Sequence, residues 1–161
     1  MPAWSDAVMG AQAYQAQFNQ AQPIRLLLVE DEFLISEMVA EDLSEQGFVV
    51  RAVANGPDAL SHLASAAVDI LFTDVNLPGG MDGMTLARRA REMQPDLPVV
   101  YASGHANAFD LERCVPGSIF IAKPYVPSLV GRILATAVKG GSTRGGSKPT
   151  IARPMSECVS A

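Results

Sequence analysis

The sequence predicts an α/β fold in which five parallel strands form one doubly wound sheet with helices on both faces. Three observations carry that prediction. Short apolar runs alternate with longer amphipathic stretches from Ile24 to Val138. Each strand-like run is followed by a helix-like one, and strand–helix–strand units bring successive strands parallel. Polar side chains gather where the apolar runs stop, which is where such sheets place ligands and chemistry.

The elements follow in order. Residues 24–29, IRLLLV, form an apolar run that ends abruptly at Glu30-Asp31-Glu32, as suits a strand buried on both faces. An amphipathic helix is expected over 32–46, with Ile35, Met38, Val39 and Leu43 on one side and Gly47 closing it. FVVRAV (48–53) is the second strand. Residues 55–67 read as a helix with Pro57 in its first turn and Leu60, Leu63, Ala64 and Ala67 facing inward. DILFT (69–73) is the third strand, followed by a helix over 82–93 with Leu86, Ala90 and Met93 inward. LPVVYAS (97–103) is the fourth strand, and a short helix over 105–113 stops before Pro116-Gly117. SIFIA (118–122) is the fifth strand. The last helix, 126–138, opens at Pro127 and carries Leu129, Val130, Ile133 and Ala137.

The chain of 161 residues is 48% hydrophobic and 18% charged, as expected of one globular domain with a real core. A net charge of -5 argues against a module that grips nucleic acid, which needs clustered Lys and Arg. The two cysteines, Cys114 and Cys158, lack the spacing of a zinc site or a disulfide framework. No apolar run approaches the ~20 residues that span a bilayer, and the N-terminus lacks a signal peptide's pattern. No membrane association and a cytoplasmic location are therefore expected.

The domain itself is placed at 23–138, between two unlike ends. Residues 1–22 are rich in Ala and Gln, with Trp4, Ala7, Ala11, Tyr14, Phe18 and Ala21 at the alternating spacings of a helix seam. This extension is read as helical or disordered. Residues 139–161 are rich in Gly, Ser and Pro and read as a flexible tail.

The chemistry lies at the predicted strand ends: Glu30 and Asp31 after the first, Asp74 after the third, Ser103 after the fourth, and Lys123-Pro124 after the fifth. Three carboxylates converging on one pocket resist ionising together, and a hard divalent cation removes that conflict. Mg²⁺ accepts one or two carboxylates, other oxygens and waters, and keeps a position for a phosphate oxygen. Glu30, Asp31 and Asp74 could supply carboxylates, and the backbone carbonyl of Asn76 a further oxygen. One carboxylate could then act as a nucleophile toward phosphorus, with Lys123 neutralising charge and the Ser103 hydroxyl bonding a phosphoryl oxygen. No residue resembles a dedicated hydrolytic base. Taken singly, Asp74 could instead cap the loop that follows it, Lys123 could be a solvated loop lysine, and Ser103 a turn residue before Gly104.

In combination, LLVEDE, FTDVNLPGGMDG, VVYASGH and FIAKPY resemble the receiver domain of two-component response regulators over about residues 24–138. The resemblance implies a flavodoxin-like sheet in the order 2-1-3-4-5 with five helices. It implies Asp74 as phosphoacceptor, Glu30 and Asp31 as the acidic pair for Mg²⁺ or Mn²⁺, and Asn76 as carbonyl ligand. It implies Ser103 as hydroxyl switch, Lys123 as phosphate-binding lysine in a cis bond to Pro124, and Phe120 as the aromatic switch. Phosphorylation would then draw Ser103 toward the phosphate and let Phe120 move inward, remodelling the face made by 104–138.

Four departures stand out. Glu30 replaces the commoner aspartate. The loop LPGGMDG is one residue longer than usual, through Gly79-Gly80. Phe120 lacks a tyrosine's hydroxyl, and His105 follows Ser103 by two residues, where it can tune access of water. The other histidine, His62, reads as a solvated helix residue.

The expected function is that of a stand-alone receiver, since no further domain is read after residue 138. It would accept a phosphoryl group from a sensor histidine kinase or histidine phosphotransfer protein and signal by binding a protein target, with a homodimer also allowed. It would be no enzyme beyond catalysing its own phosphorylation and slow dephosphorylation. A phosphate sink, a relay intermediate and a pseudo-receiver that is never phosphorylated are the alternatives within the family. Outside it, a haloacid-dehalogenase-like phosphatase needs a second Asp where this chain has Asn76. A flavin binder needs a Gly/Ser/Thr-rich loop where it has EDEF, and a dinucleotide binder needs a GxGxxG that is absent.

Overall fold

The computed structural model describes residues 22–104 and 112–140, together with the backbone of 150–152. Its elements are β1 (Arg25–Val29), α1 (Phe33–Glu45), β2 (Val49–Val53), α2 (Gly56–Ser65), β3 (Ile70–Asp74) and α3 (Gly83–Met93). They continue with β4 (Val99–Ser103), β5 (Ile119–Ala122), α4 (Pro127–Gly140) and β6 (Thr150–Ala152). The strands form one parallel sheet in the order β2-β1-β3-β4-β5-β6. The expected five-stranded order 2-1-3-4-5 is present, with one further strand on its β5 edge.

Alternation along the strands builds a core on each face. Leu27, Val29, Leu71, Val99, Tyr101 and Phe120 join Ala59 of α2 and Leu86, Ala87 and Ala90 of α3 on one side. Leu26, Leu28, Ile70, Phe72, Val100 and Ile121 join Val39 and Leu43 of α1 and Val130 and Leu134 of α4 on the other. Helix starts follow local chemistry: the side chain of Asn55 accepts from Asp58 N at 2.9 Å, and that of Asp82 accepts from Thr85 N at 2.7 Å.

Four inward assignments are corrected. Met38 is 57% exposed, because at about 100° per residue it falls on the flank of the stripe made by Ile35, Val39 and Leu43. Ala64 is exposed on the same geometric ground in α2, where Gly56 and Ala59 are the buried residues. Ala67 is exposed because α2 ends at Ser65. Met93, the terminal residue of α3, is half-exposed.

The helix expected over 105–113 lies mostly outside the described residues; its last two, Glu112 and Arg113, form a turn. The readings of the 1–21 segment, His105 and Cys158 also lie outside them. Within the stretch read as a flexible tail, Thr150–Ala152 pair with β5. Among the described residues no helix is long and apolar enough to cross a membrane.

At the amino end of the sheet, Arg25 opens β1 and Asp69 precedes β3. The Arg25 guanidinium donates to both Asp69 oxygens, at 2.9 and 2.8 Å, and its backbone N–H donates at 2.8 Å. The Arg25 side-chain hydrogen bonds hold the Asp69 carboxyl below its usual range. This pair clips the two strands where they begin.

Candidate functional site at the carboxyl end of the sheet

Parallel pairing brings the ends of β1, β3 and β5 to one side of the sheet. Glu30 follows β1, Asp74 ends β3, and Lys123 follows β5. The Lys123 ammonium donates to Glu30 Oε2 and to Asp74 Oδ2, both at 2.9 Å. Burial works against that ammonium, but its hydrogen bonds to Asp74 and Glu30 outweigh it and raise its pKa above the ordinary lysine value. The Lys123–Pro124 bond is cis, as the family resemblance implies.

The remaining carboxylate oxygens are also placed by local bonds. Asp74 Oδ1 accepts from Asn76 N at 3.0 Å, so the peptide two residues on is folded back beside the carboxylate. Glu30 Oε1 accepts from Glu32 N at 3.1 Å. The buried Glu30 side chain thus reaches both the backbone leading into α1 and the ammonium of Lys123. Asp31 stays exposed.

Ligand oxygens of Glu30, Asp31 and Asp74 all lie within 4.8 Å of one another. Among the described residues the Lys123 ammonium pairs with two of these three carboxylates, so formal negative charge there exceeds positive. An all-oxygen donor set with that charge fits a hard divalent cation such as Mg²⁺ or Mn²⁺.

Ser103 ends β4 and is buried. Asp74 pairs with Ala102, so Ser103 lies one residue farther along the neighbouring strand, and its carbonyl accepts from Lys123 N at 2.9 Å. Phe120 sits in the middle of β5 opposite Tyr101, only 1% exposed. Its ring belongs to the core that also holds Tyr101 and Val115.

The loop after β3 is shaped by glycines. Gly79 and Gly80 have φ of +83° and +80°, a region that side chains rarely adopt. Gly83 opens α3 so close to Asp74 that an added Cβ would collide with the Asp74 carbonyl oxygen, and its N–H donates to Val75 O at 2.8 Å. The start of the helix is thus held against the backbone at the end of β3.

Two contributors were not singled out from sequence. Tyr125, two residues beyond Lys123, packs its ring on Phe72 at 5.9 Å between centroids. Burial pushes its phenol up to about 12, with Lys123, Glu30 and Asp74 close enough to act on it. Its position in AKPY was the available signal. Asp82 pairs with Arg113 at 2.6 Å and so ties the start of α3 to the segment before β5. Burial disfavours that carboxylate, yet the Thr85 N–H and Arg113 bring its pKa below the usual value. No local spacing announces a pair 31 positions apart.

Comparison with known proteins gives one consistent result. Residues 26–132 match the family model described as the response regulator receiver domain. The chain is 32% identical over 112 residues to the sensor histidine kinase RcsC of Salmonella typhimurium, covering 68% of this chain and 12% of that protein. It is 32% identical over 131 residues to the transcriptional regulatory protein CseB of Streptomyces coelicolor, covering 80% and 55%. The chain thus spans only a minor part of the first relative and about half of the second. Among solved structures, a response regulator receiver protein from Sinorhizobium medicae superposes with a TM-score of 0.70 at 32% identity, covering 74% of this chain and 98% of that one.

Proposed function

This chain belongs to the response regulator receiver domain family, and on that premise we propose that it accepts a phosphoryl group on Asp74 from the phosphohistidine of a sensor kinase or phosphotransfer protein. The observation that carries the reading is the Lys123 ammonium held at 2.9 Å from both Asp74 and the buried Glu30, beside a third carboxylate. An ordinary strand-end cap needs no such convergence.

In this mechanism an Asp74 carboxylate oxygen attacks phosphorus as the phosphorus–nitrogen bond to histidine breaks, leaving an aspartyl phosphate. Glu30, Asp31, Asp74 and the Asn76 carbonyl would hold Mg²⁺ or Mn²⁺, which supplies charge neutralisation for the transferring group. Lys123 moves part of its hydrogen bonding from Asp74 to a phosphoryl oxygen. The bond from Asn76 N keeps Asp74 Oδ1 oriented while Oδ2 exchanges partners. The Ser103 hydroxyl bonds another phosphoryl oxygen, and the face built from 104–138 reports the change to a protein target. In this reading Ser103 is drawn toward the phosphate and Phe120 responds, so the report passes through the β4–β5 ends.

The test is labelling by a small phosphodonor such as acetyl phosphate in the presence of Mg²⁺. The native chain takes up one phosphoryl group, and Asp74→Asn takes up none while keeping the native circular dichroism. Undiminished labelling of Asp74→Asn would refute the assignment. Absence of labelling in the native chain would identify it as a pseudo-receiver.

A further inference from the structure

The two edges of the sheet are unlike. β2, at one edge, carries Arg51 within VVRAV, a charge of the kind that discourages edge-to-edge pairing. β5 reads IFIA, with no charge, proline or glycine. As an outermost strand it would offer unpaired N–H and C=O groups along an apolar segment, the combination most prone to adding a foreign strand.

β6 lies on that edge. Thr150 pairs with Ile119, Ile151 with Phe120 and Ala152 with Ile121, all parallel. The connectivity suits a strand supplied by the same chain. β5 leads into α4, which returns to the amino end of the sheet, and a parallel β6 must start at that end. The connection 141–149, GSTRGGSKP, joins them; extended, it could reach roughly 30 Å, well beyond the separation of neighbouring elements. Thr and Ile are strand formers, whereas the preceding Gly- and Ser-rich connection is not.

We propose that residues 150–152 are a cis-acting cover for the β5 edge, so that a partner strand, including one from a second copy of this chain, can add there only by displacing them. The covered strand carries Phe120 and runs directly into Lys123, so the cover also braces the segment that positions the site's cation. The inference stands whether or not Asp74 is phosphorylated.

The test is amide hydrogen exchange of the full chain without phosphodonor, read on peptides spanning 118–122 and 149–153, with the solution mass measured alongside. Hydrogen bonding alternates along a strand, so Thr150→Pro combined with Ile151→Pro removes at least one donor to β5 in either arrangement. The expected result is a monomer protected in both peptides, with exchange in 118–122 accelerated about tenfold in the double variant. Truncation after Gly140 is expected to give the same acceleration, with the helical circular dichroism of the domain retained. Unchanged exchange in 118–122 in both variants would overturn the proposal. So would protection in the native chain that appears only as the mass doubles, because the covering strand would then come from a second copy.

Discussion

At the amino end of the sheet Arg25 meets Asp69 at 2.8 Å, with the two side chains 50% and 30% exposed. At the carboxyl end Lys123 meets Glu30 and Asp74 at 2.9 Å, with the lysine 20% exposed and the carboxylates 4% and 11%. The distances are nearly equal and the surroundings are not. The first pair is one cation with one anion in a high-dielectric setting, where desolvation is slight and so is the net gain. The second pairs one ammonium with two carboxylates largely out of water, beside the exposed Asp31. Charge there is concentrated and left incompletely balanced. The first arrangement joins two strands; the second can receive a cation and a phosphoryl group.

The largest effect that would sharpen this contrast comes from Lys123→Ala. It leaves Glu30 and Asp74 facing each other without their cation, and should cost on the order of 3 kcal/mol in denaturant unfolding without added metal. Added Mg²⁺ should restore part of that loss. An unchanged midpoint would mean that the two carboxylates are solvated well enough to need no partner.

Metal binding gives the next largest effect. Mg²⁺ at a hundredfold its Kd should stabilise the native chain by ~2.7 kcal/mol, seen as a rise in the thermal midpoint. Asp31→Asn should reduce that rise, because Asp31 is the exposed member of the acidic trio. Equal stabilisation of both proteins would place the ion elsewhere.

A smaller effect is expected from alkaline pH. Lys123 and Tyr125 both have folded pKa values above their unfolded ones, of about 10.4 and 10. Their stabilising contribution is therefore complete below pH ~10 and declines as the pH rises toward 12. Absorbance of the phenolate during alkaline titration checks the Tyr125 part, and Tyr125→Phe should remove it. Ionisation of Tyr125 at the ordinary tyrosine pH would contradict its placement against Phe72 beside the charged cluster.

The smallest effect belongs to the other end of the sheet. Arg25→Ala should leave both the denaturation midpoint and phosphoryl labelling within experimental scatter, since the guanidinium is exposed and remote from the strand ends that carry the chemistry. A marked loss of labelling would show that the two ends of the sheet are coupled.

Much of this arrangement was legible because each site residue stands directly after an apolar run, where strand ends can be read without knowing any tertiary contact. Glu30, Asp74, Ser103 and Lys123 all have that local signature. The pairing of Lys123 with both Glu30 and Asp74 is a consequence of strand order, which only the architecture supplies. Methionines carry a weaker signal: Met38 and Met93 are apolar enough to suit a core stripe, but their place at a flank and at a helix end decides their exposure. Within the Gly-, Ser- and Pro-rich stretch 139–161, Thr150-Ile151-Ala152 is too short to stand out as a strand until the β5 edge is available to receive it. Phe120 falls on the fifth strand as the sequence suggests, in the core with Tyr101 and Val115.

The central claim is that the charge concentrated at the carboxyl end serves phosphoryl transfer to Asp74. Its most direct test is peptide mapping of the native chain after treatment with acetyl phosphate and Mg²⁺. A single phosphoryl group is expected, on Asp74 at the end of β3, and it should disappear when the metal is chelated before the donor is added. A phosphoryl group on any other residue, or equal labelling of Asp74 without a divalent cation, would contradict it.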